Sequence, residues 1–175
     1  MHYTIVETFS PNDGDQWTSY CEWRGIEFSQ FDSIDGMLRP ALFNGPENDN
    51  EWDYVLQEHF MLQFIKEHSF AVTKIKEIGK GIIVGVKCEK HDATSDDFLG
   101  YELLDSYYDV SLLTNWGNDH SLINESISEN GLVKSFETIQ RIKNDLVSNY
   151  SEDAHAQKPN IISIYKVNKA NQKVN

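Results

Sequence analysis

Between positions 132 and 150 the chain carries an apolar stripe of helical period, and no other segment constrains its structure so strongly. Leu132, Phe136, Ile139, Leu146, Val147 and Tyr150 fall on one wide arc, while Lys134, Glu137, Arg141, Asn144 and Asp145 occupy the remainder. Such a helix is stable in water only when its apolar face lies against another layer. Ser126 and Glu129 stand at capping-box spacing ahead of it, with Ser128 as an alternative cap. The rest of the chain then has to supply the layer that it covers.

Several segments have strand character. Tyr3 to Phe9 and Glu22 to Phe31 mix β-branched and aromatic residues with polar ones, and turn formers bound them at Pro11 to Asp15 and Asp32 to Gly36. Ser69 to Ile78 and Gly81 to Glu89 are rich in Val and Ile and join across Gly79 and Lys80, a pattern that predicts an antiparallel hairpin with one bulge. Leu99 to Asp105 and Val110 to Trp116 follow as strands with a turn over Ser106 to Asp109, and Asn160 to Val167 closes the set before a polar tail from Asn168. Arg39 to Asn50, with Pro40, Gly45 and Pro46, reads as loop. From Glu51 to His68 the recurrence of Trp52, Val55, Leu56, His59 and Phe60, widened by Met61, Phe64 and Ile65, predicts a first helix buried on much of its circumference. Helices are few and are not interleaved with every strand. The expected fold is therefore α+β, a single domain over residues 1–175 with a mostly antiparallel sheet and two main helices packed on it.

Charge narrows the partners. The chain has a formal net charge of −13, and the acids are clustered: residues 1–60 hold twelve acids and two bases, and residues 91–130 hold nine acids and no base. Residues 131–175 reverse the balance with four acids and seven bases. A clustered negative field disfavours nucleic acid and anionic membrane and favours a basic protein, although acidity that serves only solubility is the plain alternative. No run approaches the roughly 20 apolar residues of a membrane helix, and Met1 to Glu7 lacks a basic region followed by an apolar stretch. Cys21 and Cys88 are the only cysteines, so a reducing cytosol with both thiols free is expected.

Motifs that carry chemistry are missing or fail on inspection. The six histidines, at 2, 59, 68, 91, 120 and 155, contain no pair at a recognised ligand spacing, so neither metal nor cofactor is expected. A calcium loop begun at Asp13 would place Trp17 and Arg24 where oxygen ligands belong. Gly79, Gly81 and Gly85 precede or interrupt a strand, whereas a phosphate cradle needs backbone N–H groups at a helix start. Asp96-Asp97 and Asp119-His120 are the pairs left for acid/base work, which requires convergence with other groups in three dimensions.

The segment Phe98-Leu99-Gly100-Tyr101-Glu102-Leu103-Leu104-Asp105, then Val110 to Trp116, then Gly131-Leu132 at the head of the amphipathic helix, resembles small immunity proteins encoded beside bacterial contact-dependent growth inhibition and other polymorphic toxins. The resemblance spans about residues 98–165. It implies a cytosolic antitoxin that binds the toxic C-terminal domain of a cognate toxin without catalysis. A basic nuclease domain would suit the charge of this chain. Two other functions stay open: a small enzyme with an unrecognised acid/base site, and an intracellular interaction domain unrelated to toxins.

Candidate contact residues follow from residue type. Aromatic side chains set among acids offer large anchoring area, with charges around them to steer encounter. Tyr107, Tyr108, Asp109, Trp116 and Asp119 form the first set, and Asp96 and Asp97 the second. For each aromatic the competing role is plain core packing.

Overall fold

A computed structural model describes residues 1–6, 8–9, 14–15, 18–19, 22, 33–34, 59–60, 64–79, 81–88, 97–108, 110–115, 120–128 and 130–167. Its centre is an antiparallel sheet built from β1 (His2–Val6), β4 (His59–Phe60), β5 (Phe64–Ile65), β6 (Ile82–Lys87), β7 (Phe98–Leu104) and β8 (Asn160–Lys166), in the order β4-β5-β1-β6-β8-β7. A separate ribbon pairs β2 (Thr8–Phe9) with β3 (Ser33–Ile34). The helices whose bounds lie among the described residues are α1 (His68–Ile78), α2 (Leu112–Asn115), α3 (Ser121–Ser126) and α4 (Phe136–Asn149). The molecule is thus α+β, with α1 and α4 as the two main helices on the sheet.

The central strands form where β-branched residues are densest. Ile82, Ile83, Val84 and Val86 of β6 pair with β1 on one side, Ile83 opposite Ile5, and with β8 on the other, Val86 opposite Ile164. Because both faces of these strands are covered, β6 and β8 read as nearly continuous apolar runs rather than as alternations. On one face Ile5, Ile65 and Ile83 meet α1 through Ala71. On the same side Tyr101 and Leu103 of β7 pack with Leu112, Leu113, Ile123, Ile139, Ile142 and Leu146. The opposite face buries Val6, Phe64, Val84, Val86, Leu99, Leu104, Ile162 and Ile164, with Leu132.

Strand β7 lies at the sheet edge, where unpaired backbone groups invite association. Tyr101 and Val133 exchange both of their N–H···O bonds, at 2.7 and 3.0 Å, and so close part of that edge. The close approach depends on Gly100, at φ 151° beside a bulge, because a Cβ there would lie 2.6 Å from Leu132 Cβ.

Several local expectations are overturned. Within Glu51 to His68, the described residues His59–Phe60 and Phe64–Ile65 are two short paired strands rather than helix. Phe64 and Ile65 are both fully buried, and a continuously buried run gives no periodicity with which to separate strand from helix. Ser69 to Ile78, expected as a strand, is α1. Gly79 is its left-handed C-terminal residue (φ 76°), and its N–H donates to Ile75 O at 2.9 Å, so the glycine ends a helix instead of turning a hairpin. Among the described residues of Val110 to Trp116, there is the bridging Ser111 and the short α2 in place of a strand. Helix α4 starts later than expected: its cap is Ser135, whose Oγ accepts Thr138 N–H at 3.2 Å, not Ser126 or Ser128. Leu132 therefore packs ahead of the helix. Ser33–Ile34 is strand within the expected Asp32 to Gly36 turn, and Glu22 is helical. The rest of the expected Glu22 to Phe31 strand, the Arg39 to Asn50 loop and the tail from Asn168 lie outside the described residues.

Candidate partner-binding surface

The turn that leaves β7 displays the most exposed large apolar side chain described. Among the described residues, Met1 and Tyr107 are the large apolar side chains left exposed, Tyr107 at 71%. Its setting follows from Asp105, the residue after β7, whose side chain lies inside the protein. Asp105 Oδ1 accepts Tyr107 N–H at 3.2 Å and Val110 N–H at 3.4 Å, an arrangement in which a short carboxylate side chain organises the turn that follows it. Asp105 Oδ2 accepts His155 Nδ1–H at 2.8 Å; a carboxylate only accepts, so that ring nitrogen carries the proton. The backbone is fixed as well, since Asp105 O accepts Tyr108 N–H at 3.1 Å and Asn160 Nδ2–H at 2.9 Å.

Tyr108 takes the opposite direction. It has φ 60°, an uncommon conformation for a tyrosine, and its ring packs edge-on against Phe64 with centroids 5.7 Å apart. Burial, with Cys88 beside it, pushes its phenol above the ordinary value. Tyr108 is thus a wedge under the turn, and of the two adjacent tyrosines only Tyr107 faces outward.

The acidic segment is partly internal. Glu102 is fully buried, and its Oε1 accepts Leu103 N–H at 2.8 Å and the Ser111 hydroxyl at 2.9 Å, which ties β7 to the start of α2. With Asp105, two of the nine acids in residues 91–130 brace the fold instead of facing a partner. Asp97 is exposed, but it precedes β7 while Tyr107 follows it. A seven-residue strand spans roughly 20 Å, so the two do not share one contact point. Asp96, Asp109, Trp116 and Asp119 lie outside the described residues.

His120, considered above with Asp119, bonds elsewhere. Its Nε2–H donates to Asp145 Oδ2 of α4 at 2.7 Å, which links α3 to α4. The bonds from His120 and Asn149 hold the Asp145 carboxyl below its usual range. Among the described residues no group of three or more His, Cys, Asp or Glu side chains converges to hold a metal ion, and no helix is long and apolar enough to cross a membrane.

The residues that sequence reasoning missed are Asp105, His155 and Asn160. Asp105 followed by Ser106 and two tyrosines did carry a turn signal, whereas His155 stands 50 positions away and no local pattern connects it. Comparison with protein-family models, curated proteins and solved structures found no match for this chain.

Proposed function

We propose that this chain is a cytosolic, non-catalytic binding protein of the immunity type, which occludes a basic toxin domain and uses Tyr107 as an anchor. The supporting observation is the exposed Tyr107 on a turn whose backbone is already fixed by a buried carboxylate. A large aromatic held out to solvent contributes nothing to the core, and presenting it on an ordered turn lowers the entropy lost on association. The formal charge of −13 favours a basic partner and a steered encounter.

Co-expression with the product of the neighbouring gene tests the reading. Protection from growth arrest, co-purification of the two products, and loss of at least about tenfold in affinity on Tyr107→Ala are the expected results. Association should also slow as salt rises and the Debye length contracts toward about 8 Å. A neighbouring product that neither binds nor harms the cell contradicts the toxin assignment, and an unchanged affinity in Tyr107→Ala removes Tyr107 as the anchor.

A further inference from the structure

We propose that the groove between the C-terminal half of α4 and the segment leading into β8 receives an acidic peptide segment of a protein partner. The proposal rests on the reading of this chain as a binding protein and adds to it a second contact of opposite charge. The groove has a volume of about 490 Å³ and is lined by Lys143, Asn144, Ser148, Gln157, Lys158 and Asn160, among others. That size is within the range of about 300–1,000 Å³ typical of ligand sites.

Two lysines from different elements face one depression in a chain that carries 28 acids, yet neither is in an ion pair with any described residue. The carboxylates nearby in sequence are engaged elsewhere: Asp145 with His120, and Asp153 through Oδ1, which accepts His155 N–H at 2.8 Å. Glu152 is exposed. Asn144 Oδ1 accepts Gln140 Nε2–H at 3.2 Å, which leaves the Asn144 amide hydrogens as donors beside the two ammonium groups. The two ammonium groups and the Asn144 amide are complementary to carboxylates.

Asn160 connects the groove to the surface described above, because it lines the groove while its Nδ2–H binds Asp105 O under the Tyr107 turn. The groove and the turn are therefore joined through a single side chain. The groove is open to solvent, which suits an extended chain segment more than an enclosed small molecule. The groove lies within residues 131–175, which hold four acids and seven bases, so the local balance is basic although the chain as a whole is acidic.

The test is a titration of the ¹⁵N-labelled full chain at low salt, followed by amide shifts. The probe is an acetylated and amidated oligoglutamate peptide, with oligolysine and inorganic phosphate as comparisons. Oligoglutamate should give saturable shifts centred on residues 143–148 and 157–160, and Lys143→Glu with Lys158→Glu should weaken them by at least about tenfold. Circular dichroism checks the fold of that variant, and Lys143→Gln with Lys158→Gln replaces it where the fold is lost. Absence of saturable shifts, or shifts that survive both double variants, overturns the proposal. Phosphate that reproduces the shifts in full, with no gain from the peptide, also overturns it and leaves a simple anion site. Because no toxin is used, these outcomes are separate from those of the Tyr107 experiment.

Discussion

Asp105→Ala removes one buried acceptor from three donors, and its cost can be built from the geometry. Hydrogen bonds to a charged group contribute about 1.5–3 kcal/mol each. The bond from Tyr107 N–H is 3.2 Å and that from Val110 N–H is 3.4 Å, so the second counts for little. The bond from His155 is short, at 2.8 Å, but the imidazole is 52% exposed and rehydrates when the carboxylate is gone. Removing a carboxylate that is 1% exposed also returns part of its desolvation penalty. The net loss should be roughly 2–3 kcal/mol. His155→Ala leaves the carboxylate in place and lets water replace the ring, so it should cost less, about 1–2 kcal/mol. In the Asp105→Ala background, His155→Ala should cost nearly nothing, which gives a coupling energy of about 1–2 kcal/mol. Urea melts of the four proteins of this cycle, compared at constant m, measure all of these quantities. An Asp105→Ala loss within the roughly 0.5 kcal/mol of an ordinary surface substitution, or additive single losses, would refute the account of the turn.

Further expectations come from other parts of the fold. Ile139→Ala, at a fully buried site of α4, should cost about 2–5 kcal/mol, whereas Phe136→Ala at the half-buried first turn should cost less than the roughly 3–5 kcal/mol of an enclosed phenyl group; denaturant melts rank the two. Gly100→Ala should destabilise far more than Gly85→Ala, because its new Cβ meets Leu132 Cβ at φ 151° while that at Gly85 meets the flexible end of Met1; equal melting temperatures would contradict this. Asp145 has its folded pKa depressed below the ordinary 3.8, so its contribution is fully present above that value and is lost as pH falls through the lower folded value. Asp145→Asn should abolish that part of the acid dependence, and acid melts of the two proteins compare it.

The elements that could be read from sequence are those whose local pattern and tertiary setting agree. Residues 82–87 are rich in Ile and Val, 160–166 in Ile, and 98–104 in Leu with Phe98 and Tyr101; all three are central or well-covered strands, and the stripe of Phe136, Ile139 and Leu146 marks α4. Between 51 and 78 the two diverge. Val72, Thr73 and Ile75 favour strands by χ1 restriction, yet that preference is worth only fractions of a kcal/mol per residue. Docking Ala71, Phe70, Val72 and Ile75 against Ile5, Ile65 and Ile83 outweighs it and makes the segment helical. At the candidate surface, the aromatic pair at 107 and 108 was legible as residue types, but a left-handed Tyr108 decides which ring turns outward. The acid count of residues 91–130 likewise did not distinguish a surface charge from the buried Glu102 and Asp105, since composition carries no depth.

Buried acids of this kind also bear on binding. Ordering a residue's backbone costs about 1–2 kcal/mol, so fixing residues 105–108 only on contact would cost roughly 4–8 kcal/mol. A micromolar complex has about 8 kcal/mol in all. An anchor on an unbraced turn would therefore lose much of its contribution to ordering, whereas here Asp105, His155 and Asn160 hold the turn before any partner arrives. Under the proposed function, Asp105 acts on affinity without touching the partner, through the same bonds that make it stabilising. Its removal should then weaken binding and local order together, with slower change elsewhere in the sheet. A turn that becomes mobile while affinity is unchanged would separate Tyr107 from recognition, whatever its exposure.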